Sequence, residues 1–170
     1  MSQIVWSTRA ETEQDVPAIR EILLAAFPTA LEADLVDALR KDPAWIPALS
    51  IVATTAEGPA GYALLTRCHV GDAPALALAP CAVLPRHQRQ GAGSAAIRAG
   101  LSAARDLGEN LVLVLGHPAY YPRFGFTPAS AYGIRPPFEV PDEAMMALTL
   151  DPAAPAPDGG SIVYPAPFGV

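Results

Sequence analysis

Cysteine, positive charge and long apolar runs are all scarce in this chain, and each shortage removes a class of protein. The two cysteines, Cys68 and Cys81, form no CxxC or metal-like spacing, and both fall in apolar strand-like runs. They read as buried, reduced thiols, which points to neither a disulfide scaffold nor a metal site. Lys and Arg total 11 against 17 Asp and Glu, a formal net charge of -6. That is the wrong sign for a non-specific nucleic-acid binder. An acidic chain can attract a cationic amine, although charge alone names no ligand. No apolar run approaches the ~20 residues of a membrane span. Residues Met1 to Trp6 contain no basic stretch leading into an apolar one. A cytoplasmic protein without a membrane segment is the expectation.

What is present is apolar and regular. Hydrophobic residues make up 51% and charged residues 16%, a balance that argues against disorder. The length of 170 residues suits one domain, 1–170, with a full core. Ile4 to Arg9 reads as a first strand. Asp15 is the expected N-cap of a helix that tolerates Pro17 in its first turn, with Val16, Ile19, Leu23 and Ala26 at helical spacing. Thr29-Ala30-Leu31-Glu32 has the form of a capping box for a second helix with Leu31, Leu35 and Leu39 on its apolar face. Glu32, Asp34 and Asp37 read as its solvated face.

Strands are expected at Leu49–Thr54 and Ala60–Cys68, around a turn at Glu57-Gly58-Pro59. A further strand is expected at Ala75–Val83. Pro80 falls inside it, and a proline there implies an edge or a bulge. A helix after Gly93 should end near Leu107, with Gly108 at its C′ position. Ile97, Leu101 and Ala104 mark its buried stripe. Leu111–Leu115 is apolar at every position, as suits a central strand covered on both faces. Tyr120–Phe124 reads as a short helix closed by Gly125. Ala144–Leu150 and Ser161–Tyr164 read as the last strands of the same sheet.

The segment Gln88-Arg89-Gln90-Gly91-Ala92-Gly93-Ser94 lies between a strand and a helix. Such a loop can aim several backbone N–H groups at one anion, where the helix dipole also favours negative charge. Arg86, Arg89 and Arg98 add local positive charge. The plain alternative is a tight turn with surface arginines. A dinucleotide site needs its first glycine directly after the strand and an acid about 20 residues on. Here Leu84 to Gln90 intervene, and the next strand ends in Leu115-Gly116-His117. No Gly-Lys-Ser/Thr follows, so a P-loop is excluded.

Taken with its surroundings, the segment resembles the GNAT family of acetyl-CoA-dependent N-acetyltransferases. The matching residues are Cys81-Ala82-Val83-Leu84-Pro85, then Gln88-x-x-Gly91-x-Gly93, a helix, an apolar strand, and Tyr121-x-x-Phe124-Gly125-Phe126. Val114 to Phe126 is similar to the bacterial YhbS-type branch. The resemblance implies an α/β (α+β) fold: a mixed, mostly antiparallel twisted sheet of about seven strands. Helices would cover both faces, and the central strand pair would be splayed and bulged. It implies acetyl-CoA as co-substrate and no metal. Backbone groups of Cys81, Ala82 and Val83 would pair with the pantetheine arm as an added strand. Amides of the loop, from Gln88, Arg89 and Gln90 through Gly91, Ala92, Gly93 and Ser94, would cradle the pyrophosphate.

The chemistry implied is direct transfer. An amine attacks the thioester carbonyl, and a fixed backbone N–H on the bulged strand can stabilise the developing oxyanion. Tyr121, protonated at neutral pH with an ordinary pKa near ~10, is the expected acid for the departing thiolate. The alternative for Tyr121 is a packed aromatic. Tyr120 is expected to point elsewhere. Many family members carry a glutamate on the strand after the cofactor helix, and Leu111–Leu115 has none. His117 is then either the base or a cap that orients the Tyr120-Tyr121 turn. A water chain or an amine that arrives neutral would need no protein base. Cys81 is expected to pack rather than carry an acyl group.

The acceptor is an amine-bearing small molecule or a protein. Phe27, Tyr132 and Phe138, in apolar proline-rich loops, are candidates to line its pocket. Neither nucleic acid nor membrane is an expected partner, and a homodimer stays open. A different class also remains: a catalytically silent acyl-CoA-binding sensor or interaction module.

Overall fold

A computed structural model describes residues 4–170. Among these, seven strands follow one path in the order β1-β2-β3-β4-β5-β8-β6. They are β1 (Ser7–Ala10), β2 (Ser50–Thr55), β3 (Gly58–Val70), β4 (Ala73–Val83), β5 (Leu111–Leu115), β6 (Thr127–Pro128) and β8 (Met145–Thr149). Off this path, β7 (Ile134–Arg135) pairs with β9 (Gly160–Val163), and β9 joins the far end of β3. Most pairings are antiparallel, whereas β4 runs parallel to β5 and β7 parallel to β9.

Alternation along β3 divides the core. Tyr62 and Leu64 face α1 (Val16–Ala26) and α2 (Leu31–Arg40), while Ala63 and Leu65 face α3 (Ala92–Asp106). Helices thus cover both faces of the sheet. Ile97, Leu101 and Ala104 of α3 are buried, as their spacing requires, and Gly108 follows the helix with φ of 82°. Past the reach of α1 and α2, Cys68, Ala77 and Leu113 pack under Ile134, Met145 and Ile162. No helix among the described residues is long and apolar enough to cross a membrane.

Three local expectations are corrected. The first strand begins at Ser7, because Ser7 already pairs with Thr54 near the end of β2. Residues 4–6 lie before the strand, and Val5 is exposed; the rest of the Met1 to Trp6 stretch, residues 1–3, lies outside the described residues. On α2 the buried positions are Ala33, Val36 and Leu39, while Leu31 is 72% exposed. Ala33, Val36 and Leu39 join the cluster built around Ile19, Ile22 and Leu23 of α1, and this turns Leu31 outward. The third correction concerns capping. Ala30 stands at the N-cap of α2 with no side-chain cap, and the reciprocal box forms upstream of α1. There the Asp15 carboxylate accepts the Thr12 backbone N–H at 2.7 Å and two Arg9 N–H groups at 2.5 and 2.9 Å.

Asp34 and Asp37 hold the outer side of α2 against α1 through Arg20, at 3.0 and 2.7 Å. Underneath, a polar chain joins α2 to the sheet. The buried Tyr62 hydroxyl shares a hydrogen bond with Ser50 at 2.7 Å, Ser50 donates to Glu11, and Glu11 pairs with Arg40 at 3.1 Å.

Candidate acyl-transfer site

The site begins with a break in the sheet. Strands β4 and β5 are paired at Leu76–Val112 and Ala77–Leu113 and then part. Beyond Ala77, β4 continues on β3 as far as Val83, while β5 continues on β8. The segment Leu78 to Val83 therefore has a strand on one side only. A bulge marks the parting point: Leu65 faces Leu78 and Ala63 faces Cys81, so Ala79 and Pro80 stand opposite Leu64 alone. Proline supplies no N–H to a ladder, and here it falls at the bulge. Both readings of Pro80, bulge and edge, are met.

The glycine loop stands at the mouth of this opening. Arg89 and Gly91 both take left-handed backbone, with φ of 63° and 92°. Gly91 is the N-cap of α3, and only glycine adopts that conformation without strain. The Gln88 side-chain amide donates to the Val83 carbonyl at 3.3 Å, and the Trp6 indole donates to the Gln90 carbonyl at 2.7 Å. The first N–H groups of α3 have no acceptor within the helix. They open on a hollow of ≈ 450 Å³ lined by Val83, Gln88, Arg89, Gly91, Ala92, Gly93 and Ser94, together with Tyr120 and Arg123.

Most of the loop residues singled out from the sequence thus converge. Gln90 does not line the hollow, since Trp6 holds its carbonyl. Ala82 is buried toward α1 and α2. Cys81 packs on the α3 side, so these two can meet a ligand only through the backbone of the open edge.

Tyr120 departs from expectation, because it turns into the hollow. Its hydroxyl shares a hydrogen bond with Ser94 at 2.9 Å, and the Arg123 guanidinium lies 4.2 Å from its ring centre. Arg123 also donates to the Tyr120 carbonyl at 2.8 Å. The sequence reading turned Tyr120 elsewhere and did not single out Arg123 or Trp6. An arginine two residues beyond Tyr121, on the same turn, was the available signal for Arg123.

Tyr121 sits on the turn after β5 with its ring laid on the backbone of Gly116. A Cβ at Gly116 would stand 2.3 Å from Tyr121 Cε2. Tyr120 and Phe126 meet the ring edge-on at 5.0 and 6.0 Å. The hydroxyl neighbours the Cys81 thiol. Burial first, and then the neighbouring Cys81, hold its proton well above the ordinary phenol range. Burial likewise pushes the Cys81 thiol up to about 12, against the opposing effect of the Tyr121 hydroxyl. Cys81 is accordingly a neutral thiol near pH 7. His117 is exposed at the end of β5, and its carbonyl accepts the Tyr120 N–H at 3.0 Å. Of the apolar candidates for the acceptor pocket, Phe138 lines hollows, whereas Phe27 and Tyr132 pack into the core.

A sheet split between two parallel strands, with an anion-shaped loop at its mouth and a tyrosine over its edge, defines an acyltransferase. Residues 16–126 match the Acetyltransferase (GNAT) family. The N-acetyltransferase YjhQ of Escherichia coli (strain K12), itself uncharacterised, is 39% identical over 150 residues, covering 82% of this chain and 83% of YjhQ. YhbS of the same strain is 35% identical over 130 residues, 75% of this chain and 77% of YhbS. The crystal structure of YhbS from Escherichia coli in complex with CoA superposes with a TM-score of 0.91 at 28% identity, over 100% of this chain and 95% of that one. A GNAT acetyltransferase from Brucella melitensis, in complex with acetyl-CoA, gives a TM-score of 0.78 at 29% identity, over 96% and 98%. The chain belongs to the GNAT family of acetyltransferases.

Proposed function

We propose that residues 1–170 act as one catalytic domain that moves an acetyl group from acetyl-CoA to a primary amine by direct attack in a ternary complex. The observation that carries this reading is Tyr121, with its proton firmly held, beside the strand edge that β5 leaves unpaired. The CoA and acetyl-CoA complexes of the two structural relatives support the choice of donor. The pyrophosphate would sit on the backbone N–H groups from Arg89 to Ser94, with Arg89 and Arg123 supplying charge. The pantetheine arm would pair with the backbone of Cys81, Ala82 and Val83.

The amine nitrogen forms a bond to the thioester carbonyl carbon while the carbon–sulfur bond breaks. Tyr121 gives its proton to the departing thiolate, and the nitrogen loses one proton. His117 is the candidate base for that proton, because its imidazole is exposed on the turn that carries Tyr121. The absence of a carboxylate from Leu111–Leu115 leaves a second reading, in which the chain binds acyl-CoA without transfer.

Calorimetry with acetyl-CoA, with NADH as control, should give saturable binding for acetyl-CoA alone. Incubation with an amine panel should add the mass of one acetyl group to at least one member. Binding without any product would select the silent module, and no binding to any acyl-CoA would end both readings. His117→Ala should lower kcat/KM by about 10²-fold, the usual scale for a lost general base. An unchanged kcat/KM would leave the proton to water.

A further inference from the structure

A second hollow, of ≈ 260 Å³, lies farther along β4 than the loop hollow. Three consecutive residues, Ala77, Leu78 and Ala79, line it. Ala77 and Leu78 belong to opposite core faces, and Ala77 is still paired with Leu113, so the hollow lies on the Ala77 face of the sheet, away from α3, over the point where the two strands part. Leu113 and Leu115 of β5 form its other side. It therefore sits over the inner end of the splay whose mouth the glycine loop occupies. From Val83 at the mouth back to Ala79 is about 13 Å of strand at ~3.3 Å per residue.

The outer wall is aromatic. Phe138 stacks on Tyr164 at 5.9 Å and 23°, and Tyr164 meets Phe168 at 5.2 Å and 44°. No lining residue carries a charged side chain, and the Tyr164 hydroxyl is spent on the Met145 sulfur at 3.9 Å. Burial pushes that hydroxyl up to about 12, so Tyr164 brings no charge near neutral pH. Leu115 and Val170 are 46% and 62% exposed, and they give the hollow a way in from solvent.

Resting on the transfer reading above, we infer that this hollow holds the acceptor, and that the acceptor is a primary amine on a short arm from one aromatic or branched aliphatic group. An acetyl methyl would fill little of the space, since a dry cavity of about 150 Å³ already holds benzene. A longer acyl tail would have no use for a solvent opening at its far end, whereas an incoming amine requires one. A polyamine or an aminoglycoside would bring extra cations among side chains that carry no counter-charge, at a desolvation cost those side chains do not repay. The same apolar walls disfavour the ammonium form of the amine. Desolvation thereby yields the neutral nucleophile that a strand carboxylate would otherwise generate.

The test is 4-fluorophenethylamine added to the CoA-saturated full chain and followed by ¹⁹F NMR, with putrescine and ethanolamine as competitors. A saturable shift that neither competitor displaces is expected. Phe138→Ala should weaken it about fivefold or more, while calorimetric CoA affinity stays within about twofold, in keeping with the loss of one apolar wall. Should Phe138→Ala melt early, Leu115→Asn at the exposed rim, which removes apolar surface without adding charge, should weaken the shift equally. No saturable shift, equal binding of putrescine, or indifference to both variants overturns the inference. So does a preference for butyryl-CoA over acetyl-CoA that Phe138→Ala abolishes, because the hollow would then hold the acyl chain. Amine binding without acetylated product would leave this inference standing and remove the transfer reading. Acetylation confined to polar amines would do the reverse.

Discussion

Burial and a thiol neighbour act together on Tyr121, raising its affinity for its proton. A phenol in that state is useless as a base near neutrality and waits for a strong acceptor, such as a leaving thiolate, before releasing its proton. Tyr121→Phe should therefore lower kcat by about 10²-fold, the usual scale for a lost general acid, and leave the acetyl-CoA Kd within about twofold. Steady-state kinetics beside calorimetry check both halves, and wild-type turnover would remove Tyr121 from the mechanism. Asp15 supports a prediction of another kind. Hydrogen bonds from Arg9, opposed by burial, lower its pKa to about 2 from 3.8. A depressed carboxylate pKa stabilises the fold above the unfolded value, and that contribution fades as pH falls from about 4 toward 2. Asp15→Asn should cost about 1–2 kcal/mol at pH 7, a range already reduced for the half-exposed Arg9. In urea titrations across pH the gap to wild type should close below pH 4, and a constant gap would trace the effect to packing instead. Tyr121 could be singled out as a candidate from its spacing to Gly125-Phe126, and the structure sets it beside Cys81. Tyr120 could not, because two adjacent tyrosines on a turn give no periodicity from which to read direction.

At the scale of elements, the tyrosine's placement depends on the end of β5. Gly116 follows Leu115 directly, its N–H donates to the Ala144 carbonyl at 2.9 Å, and the Tyr121 ring occupies the space a side chain would take. Gly116→Ala should push the ring off the strand edge, since 2.3 Å is far inside any carbon–carbon contact. Its kinetic signature should match that of Tyr121→Phe, with kcat reduced and acetyl-CoA binding kept. A variant that loses both together would mean that the turn, rather than the hydroxyl, was disturbed. Elements with a strong period were readable from the chain alone. The long β3, the five apolar residues of β5 and the Ile97–Leu101–Ala104 stripe each fell where the pattern put them. The pattern misled where two stripes competed. Leu31–Leu35–Leu39 and Ala33–Val36–Leu39 both suit a helix, and tertiary packing beside α1 selects the second. Thr29–Glu32 likewise had the letters of a capping box, while the working arrangement used Thr12 with Asp15, where Arg9 adds two further hydrogen bonds.

For the molecule as a whole, one sheet serves as both core and binding surface. Helices cover both faces, and β4 offers a ligand its backbone in the middle of the sheet, where it leaves β5. The apolar run at Leu111–Leu115 suggested a strand covered throughout, and the structure meets that up to Val114; Leu115 is exposed because the sheet opens there. No local pattern encodes such a parting, which depends on where two distant strands stop pairing. The parting also sets what acetyl-CoA should do to the fold. Any ligand that binds only the native state stabilises it, by about 2.7 kcal/mol at a hundred times Kd. A ligand laid along β4 should also act unevenly. Amide hydrogen exchange should slow most in peptides spanning residues 78–94, which hold the unpaired edge and the glycine loop. Peptides from β1 and β2 should gain only whatever follows from global stability. Uniform slowing along the chain would mean that binding stabilises the protein without occupying the split, and protection centred on α1 and α2 would move the donor site to the other face. NADH should change neither region, because the spacing between Val83 and Gly91 fits no dinucleotide.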